Sequence, residues 1–477
     1  MRKIATTLIL LFFLSSVTAQ DANYWSTSYG TGGFFVPGAT IAKNGDSGVL
    51  FFNPALLAYN TKNASNISGS IYNLNQINIK NGAGEGLDLR QTYTNIMPVI
   101  ASNTIYLKLK KPITFAYAIM YNPSFQFQTS QRRDDMINVL DDSYSPGKEF
   151  YIGQYVHANT INETSAMFAF GKSVNNKLAI GFSGTFNTRR QYFNHNITAR
   201  AFINDNTDLF QKLVTVSESY VVNTRAYDLQ FKAGVSYSVN DKNHLGLMVT
   251  LPSIKVWGNS DILAEFAVNN LRIDDIEIFL LGSTRQTKLS GTYKRPLSIA
   301  LGYTHYYKGG EIYIASEFFN KINRYNMVQP RDEAFLRPDT GTVKEFSAAE
   351  IGFLNAGKSI FNFSVGVSFP IKNNIKGFAS LRTDYSNMGK ELLENESGFS
   401  ASSVSHNLYH FQGGANFKKR KFNLRAGILL TYGRNRNHQQ LINFDDPSEM
   451  NFLEGTKDLV PSRKLSAGFM LAYVHNF

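Results

Sequence analysis

Long stretches of the sequence alternate between large apolar residues and small or polar ones. In the stretch 360–369, phenylalanine and valine occupy every second position, and asparagine, serine and glycine lie between them. The stretches 231–239 and 297–304 repeat this pattern. Because successive side chains of a strand point to opposite faces of a sheet, the alternation predicts strands with one apolar and one polar face. These strands are about twice as long as the roughly 5–6 residues usual in globular sheets, which disfavours a soluble β-sandwich.

Short turns rich in lysine, asparagine and glycine punctuate these strands at near-regular intervals. They lie at 110–112, 175–177, 240–243, 308–310, 372–374 and 418–421. Between consecutive turns the sequence contains a strand, a longer polar loop and a returning strand, and examples of the loops are 129–149, 203–217, 329–342 and 438–460. Six turns that each join two strands, a first strand before residue 80 and a last one from about Arg463 to Phe477 make fourteen strands.

An even number of long alternating strands, with short turns at one end and long loops at the other, is typical of a transmembrane β-barrel. Lipid offers no partner to a free backbone group, so a sheet that crosses a membrane has to close on itself. The sequence therefore predicts an all-β fold, a 14-stranded antiparallel transmembrane β-barrel over 64–477. The chain ends on Phe477 behind alternating apolar residues. This ending resembles the insertion signal of outer-membrane barrels, although His475 departs from it.

The first residues have the pattern of an export signal. Arg2 and Lys3 are basic, 4–14 is apolar but too short to span a membrane, and small residues lead up to Ala19. We therefore expect residues 1–19 to be a cleaved signal peptide and the mature chain to lie in the bacterial outer membrane. The chain has no Cys, which excludes disulfides, thiolate metal sites and a cysteine nucleophile.

The formal net charge of +12 is concentrated in two places. Arg2 and Lys3 belong to the signal peptide, and the short turns hold most of the remaining excess. The basic residues of the turns are Lys110, Lys111, Lys177, Lys242, Lys308, Lys372, Lys418, Lys419, Arg420 and Lys421. The charge thus forms a ring at one mouth of the predicted barrel, which we take as the periplasmic one, and it does not indicate a nucleic-acid partner.

The segment 20–63 precedes the first strand and is rich in glycine, compact and partly apolar. Such a segment, which is neither a strand nor disordered in composition, predicts a plug inside the barrel lumen. Within it, Gly45-Asp46-Ser47 is followed by Phe52-Asn53-Pro54-Ala55. Taken with fourteen strands and a proline in the third strand, Pro123, this motif resembles the FadL family of outer-membrane transporters. The resemblance covers the whole mature chain, but only the Asn-Pro-Ala motif is specific.

The resemblance implies passive, inward passage of hydrophobic small molecules such as long-chain fatty acids. A hatch that includes Asn53, Pro54 and Ala55 would gate the passage, and a kink at Pro123 would open the wall sideways into the membrane. Proline suits such a kink because it cannot donate to a strand ladder. The aromatic residues of the segment would either line an apolar route or pack the plug, and they are Phe34, Phe35, Phe51 and Phe52. Pro98, Pro252 and Pro296 also fall within the predicted strands.

Some motifs resemble nucleotide or metal sites, but their sequence context argues against each of these functions. Residues 352–359 match the P-loop pattern, but an alternating strand follows where a helix would have to begin. His406 and His410 have a spacing compatible with a metal, yet no carboxylate lies between them. Acidic pairs such as Asp134-Asp135 fall in predicted loops, where solvated charge is the usual state. We therefore expect no catalytic residue, cofactor or metal site, and no enzyme activity.

Two other functions remain as alternatives. Barrels of this kind can serve as accessory subunits that bind a protein partner in secretion or surface attachment, and the long outer loops would suit that role. An integral-membrane hydrolase would need a Ser-His-Asp or paired-carboxylate arrangement, and none stands out. We expect a monomer whose partners are a hydrophobic ligand and the surrounding outer-membrane lipid.

Overall fold

The computed structural model describes residues 23–25, 41–42, 52–60, 62–95, 99–109, 112–204, 212–273, 276–338, 345–389, 392, 398–419 and 421–476. The predicted signal peptide, Phe34, Phe35, Phe51 and the turn residues Lys110, Lys111 and Arg420 lie outside these residues. Within the described ranges, no helix has both the length and the apolar character needed to cross a membrane.

Fourteen antiparallel strands form a closed barrel, as the alternation predicts. We number them β1 to β14 in chain order, and three consist of two segments. Their bounds are β1 Ala64–Ile79, β2 Leu89–Asn95 and Val99–Leu107, β3 Ile113–Ile137, β4 Glu149–Ser173, β5 Leu178–Phe202, β6 Leu213–Ser238, β7 Asn243–Thr250 and Ile254–Ile273, β8 Ile276–Leu289 and Ser298–Tyr307, β9 Gly310–Phe319, β10 Ile360–Lys372, β11 Ile375–Asp384, β12 Asn407–Lys418, β13 Phe422–Gln439 and β14 Leu459–Asn476. The first and last strands pair from Ala64 with Asn476 to Ile79 with Ser462, which closes the wall.

The apolar face of each strand points outward and the small or polar face points into the lumen. On β5, the outward Ile180, Phe182 and Phe186 are 45%, 45% and 39% exposed, whereas the inward Ser183 and Asn187 are buried. Lipid would cover the outward side chains, so their exposure in the isolated chain is what a membrane barrel requires.

The longest strands extend beyond the predicted limits. β3, β4 and β5 each have 25 residues and β6 has 26, more than twice the roughly 9–11 that cross a bilayer. The predicted loop 129–149 was therefore too long, because residues up to Ile137, including Asp134 and Asp135, belong to β3. Over 131–135 both faces of β3 are polar, so the alternation that marks a strand in the sequence disappears there.

Part of the lumen is filled by a small three-stranded sheet, which we call the inner sheet. Its strands are Ile322–Val328, Phe353–Gly357 and Phe399–Ser400, and they come from the connections between β9 and β10 and between β11 and β12. It packs on inward side chains of the wall that include Phe193 and Tyr220. The strand Phe353–Gly357 occupies most of the segment that matches the P-loop pattern. The remaining short elements are the 3-10 helix Pro54–Tyr59, the strands Ala334–Pro338 and Glu345–Phe346, the helix Ser347–Glu350 and the 3-10 turn Glu449–Asn451.

Candidate functional site

A short 3-10 helix, Pro54–Tyr59, lies in the lumen close to the short turns, and we call it the hatch helix. Asn53 is its N-cap residue, because its Oδ1 accepts a hydrogen bond from the backbone N–H of Ala55 at 3.0 Å. Pro54 follows at the first helical position, where its missing N–H costs nothing. Locally, the Asn-Pro-Ala motif therefore forms the start of a helix.

The amide of Asn53 also binds the hatch helix to its surroundings. Its Nδ2 donates to the carbonyl oxygen of Ile41 at 2.8 Å and to that of Val235 on β6 at 2.9 Å. The side chain is fully buried, so these bonds are shielded from water. One residue thus caps the helix, ties it to an earlier part of the N-terminal segment and joins both to the wall.

Glycines on five successive wall strands make room for the contact between the N-terminal segment and the wall. They lie at inward positions near the short turns and are Gly171, Gly181, Gly234, Gly246 and Gly302, which we call the glycine floor. A Cβ at Gly181 would come within 2.3 Å of the carbonyl carbon of Pro54, and one at Gly234 within 1.8 Å of Asn53 Oδ1. Only glycine allows the backbone of the N-terminal segment to approach the wall this closely.

Apolar side chains hold the other side of the hatch helix. Leu56 and Leu57 are fully buried and pack with Ala118 and Met120 of β3, and Phe52 packs against the same cluster. Phe52 therefore takes part in packing of the plug. Ala118 and Met120 lie five and three residues before Pro123 on the same strand, so the hatch motif and the proline are close to the same part of the wall.

Pro123 lies within β3, at a β-bulge. The pairing of β3 with β4 shifts between Asn122 and Phe125. As a result, even-numbered residues face the lumen before the bulge and odd-numbered ones face it afterwards. Of the other three prolines that the sequence analysis placed in strands, Pro98 lies outside the described residues, and the remaining two do not lie within paired strands. Pro252 falls between the two segments of β7, and Pro296 falls between those of β8.

Within the part of the chain that the structure describes, the ladder between β2 and β3 ends beside this bulge. It runs from Leu107 to Val99 on β2, and Val99 pairs with Tyr121. Among the described residues, the other segment of β2, Leu89–Asn95, has no ladder with β3. A side chain crosses there instead, since Gln91 Oε1 accepts a hydrogen bond from the backbone N–H of Gln128 at 2.5 Å.

A group of buried charges lies further along the lumen. Glu163 Oε1 accepts hydrogen bonds from Arg189 Nη1 and Arg295 Nη2, both at 3.0 Å. Arg295 Nε also donates to Asp228 Oδ1 at 3.3 Å. The four side chains are 19% exposed or less. We call them the charge cluster.

Arg295 reaches the charge cluster because the chain leaves the wall between the two segments of β8. Tyr293 comes with it, and the guanidinium of Arg189 lies over its ring at 4.0 Å from the centroid. Sequence reasoning missed this cluster. The alternation could place Glu163, Arg189 and Asp228 on inward faces, but nothing in the sequence shows that 290–297 turns into the lumen.

A cavity of about 440 Å³ lies beyond the charge cluster, on the side of the long loops. Aromatic rings dominate its apolar lining, and His157, His195 and Glu218 are among its polar residues. Glu218 lies well past the outward aromatic residues Tyr192 and Tyr227, so it is outside the membrane. Burial raises the pKa of its carboxyl group to about 7, and Glu454 adds to the effect while Lys457 opposes it. The aromatic lining residues are Phe193, Phe266, Phe335 and Phe399.

The lumen thus has three levels, which can be followed along β5. Gly181 contacts the hatch helix, Arg189 belongs to the charge cluster, and Phe193 lines the cavity. A compound in the cavity would meet charged groups before the hatch helix.

The same barrel fold is found in solved structures. A Pseudomonas aeruginosa FadL homologue superposes with a TM-score of 0.56, with 97% of this chain and 100% of that chain covered at 10% identity. The chain has the FadL-type barrel fold. The Pseudomonas putida toluene transporter TodX gives a TM-score of 0.57 at 11% identity over 96% of this chain and 98% of that one. The Ralstonia pickettii toluene transporter TbuX gives 0.54 at 10% identity over 95% and 99%. No protein-family model and no curated protein sequence matches this chain.

Proposed function

We propose that this FadL-type barrel conducts hydrophobic small molecules, such as long-chain fatty acids, inward across the outer membrane without covalent chemistry. The observation that carries the proposal is the cavity of about 440 Å³ inside the lumen, which lies within the size range of small-molecule sites. Its aromatic lining suits an apolar ligand. The similar solved structures TodX and TbuX are named toluene transporters, which supports a hydrophobic cargo.

The exit in this proposal is lateral, through the interruption between β2 and β3 beside Pro123. A straight path is disfavoured because the hatch helix and the glycine floor meet across the lumen near the short turns. It would also end in water, where an apolar ligand loses roughly 0.8 kcal/mol for each CH₂ that becomes exposed. Lateral exit delivers the ligand to the bilayer instead and avoids that loss.

The direct test is uptake by cells that lack the gene and by the same cells with the gene restored. We expect restoration to increase the initial uptake rate of radiolabelled oleate severalfold, while uptake of a hydrophilic sugar stays the same. Toluene in a parallel assay distinguishes an aromatic cargo from a fatty acid. Equal uptake of both hydrophobic compounds with and without the gene would contradict the proposal.

Lateral exit can be tested separately by closing the interruption. The chain has no Cys, so the pair Gln91→Cys/Gln128→Cys can be bridged by a short bifunctional thiol reagent without background. We expect bridging to lower ligand uptake to near the level of cells without the gene, because it blocks movement of β2 away from β3.

The control places the same bridge where the two strands already pair. Asn103 on β2 lies opposite Tyr117 on β3, and bridged Asn103→Cys/Tyr117→Cys should keep the uptake of the unbridged protein. If the Gln91/Gln128 bridge also leaves uptake unchanged, the ligand does not leave through this part of the wall.

A further inference from the structure

Two arginines face outward from neighbouring strands at directly opposed positions. Arg434 of β13 pairs with Arg463 of β14, and both side chains are exposed. Among the described residues, neither guanidinium has a carboxylate oxygen within 4.0 Å. Their strand neighbours Asn407 and Asn78 are uncharged. Like charges directly opposite each other destabilise a sheet, so an anion bound between the two guanidinium groups would stabilise this part of the wall.

The pair lies at the level where an outer-membrane barrel meets lipid head groups. Tyr432 precedes Arg434 by two residues on the same face, and Tyr409 pairs with Tyr432 across the next strand. Both rings point outward and are 45% exposed. Outward tyrosines of this kind form the aromatic girdle of a membrane barrel, which lies at the boundary between acyl chains and head groups.

An apolar groove leads away from the arginines along the outer wall. Ala467 of β14 pairs with Leu430 on one side and Leu74 on the other, so a small side chain lies between two larger ones. The groove has a volume of about 540 Å³, and Leu465 and Phe411 also line it. Ala467 follows Arg463 by four residues, which is about 13 Å along a strand. One end of the groove is therefore apolar and the other end is cationic.

We propose that this surface is a binding site for a phosphate-bearing membrane lipid. The phosphate accepts hydrogen bonds from the Arg434 and Arg463 guanidinium groups, and an acyl chain lies in the groove over Ala467. Arginine suits this role because its planar group donates to a phosphate through two parallel bonds. The lipid removes the repulsion between the two arginines and covers the groove, so it acts as a fixed part of the wall.

A second arginine pair provides a matched control. Arg190 of β5 pairs with Arg225 of β6, and both side chains are again exposed. The surface next to this pair is filled, because Tyr227 stacks on Trp257 with the ring centroids 5.1 Å apart. Removing these two charges should therefore leave lipid binding at the groove unchanged.

The experiment titrates phosphatidylglycerol into the full-length barrel in detergent micelles and counts bound lipid by native mass spectrometry. We expect one tightly bound lipid, and about 30-fold weaker binding by Arg434→Gln/Arg463→Gln, since each basic residue near a lipid surface contributes about 1 kcal/mol. Arg190→Gln/Arg225→Gln should bind as the unchanged protein does. Ala467→Leu, which fills the groove and keeps both charges, should also weaken binding.

Two further probes separate the parts of the lipid. Diacylglycerol with the same acyl chains lacks the phosphate and should bind weakly, and inorganic phosphate should not displace phosphatidylglycerol at millimolar concentration. Equal lipid binding by both arginine double variants would overturn the proposal. Displacement by inorganic phosphate, or unchanged binding by Ala467→Leu, would overturn the role of the groove.

Discussion

Gly181→Ala is expected to release the hatch helix from the barrel wall. The added Cβ would lie 2.3 Å from the carbonyl carbon of Pro54 and 2.4 Å from the nitrogen of Ala55, distances that no packed structure tolerates. Both atoms belong to backbone, so no side chain can rotate away. β5 is held by complete ladders with β4 and β6, and the hatch helix is therefore the part that has to move.

A single thiol in the hatch helix would report this movement. Leu57 is fully buried, and Leu57→Cys in the otherwise cysteine-free chain should react slowly with a maleimide. In the background of Gly181→Ala we expect the labelling rate to rise by about tenfold or more, because overpacking costs roughly 1–3 kcal/mol.

The control uses another glycine of the same strand. Gly184 faces outward, and the heavy atoms nearest to a Cβ there belong to the ring of Phe168, an exposed side chain that can turn away. Gly184→Ala should leave the labelling rate of Leu57→Cys unchanged. Identical rates in the Gly181→Ala and Gly184→Ala backgrounds would show that the glycine floor does not hold the hatch helix.

Glu163→Ala is expected to destabilise the barrel by about 3–5 kcal/mol. The substitution leaves Arg189 without its carboxylate and Arg295 with Asp228 alone, and removing one member of a buried ion pair leaves an uncompensated buried charge. The measurement is the free energy of unfolding in urea and detergent, followed by tryptophan fluorescence.

A second substitution tests whether the unpaired charge of Arg189 causes the loss of stability. Adding Arg189→Met to Glu163→Ala should restore part of the lost stability, because Arg295 keeps its bond to Asp228. Glu333→Gln removes a carboxylate from an exposed pair with Arg331 and should cost less than about 1 kcal/mol. If Glu163→Ala and Glu333→Gln lower the free energy of unfolding by similar amounts, burial does not strengthen the ion pairs of the charge cluster.

Several features could be predicted from local sequence because they depend on neighbouring residues alone. Period-two alternation correctly predicted fourteen strands with one apolar and one polar face. In the structure the apolar face, which includes Phe182, points outward, and the polar face, which includes Asn187, points into the lumen. The Asn53-Pro54 start of the hatch helix is equally local, since a cap and a first-turn proline need only their own helix.

Other features were predicted wrongly or not at all, for identifiable reasons. The outer part of β3 was assigned to a loop because Asp134 and Asp135 break the alternation once the strand has left the membrane. The inner sheet was missed because the segment Phe353–Gly357 has its partners in Ile322–Val328 and Phe399–Ser400, which are remote in sequence. Pro296 was placed in a strand, whereas the chain turns into the lumen around it and carries Arg295 to Glu163.

The amino-acid sequence by itself determined the barrel, because the period of two and the rhythm of turns act strand by strand. Only the tertiary structure decided what meets inside it. Closure of the wall brings Gly181 and Gly234 under Asn53 and Pro54, and it places Glu163, Arg189 and Asp228 around Arg295. Alternation states which face a residue occupies, but contacts across a lumen depend on the shear of the barrel and on segments that enter it, and neither is encoded locally.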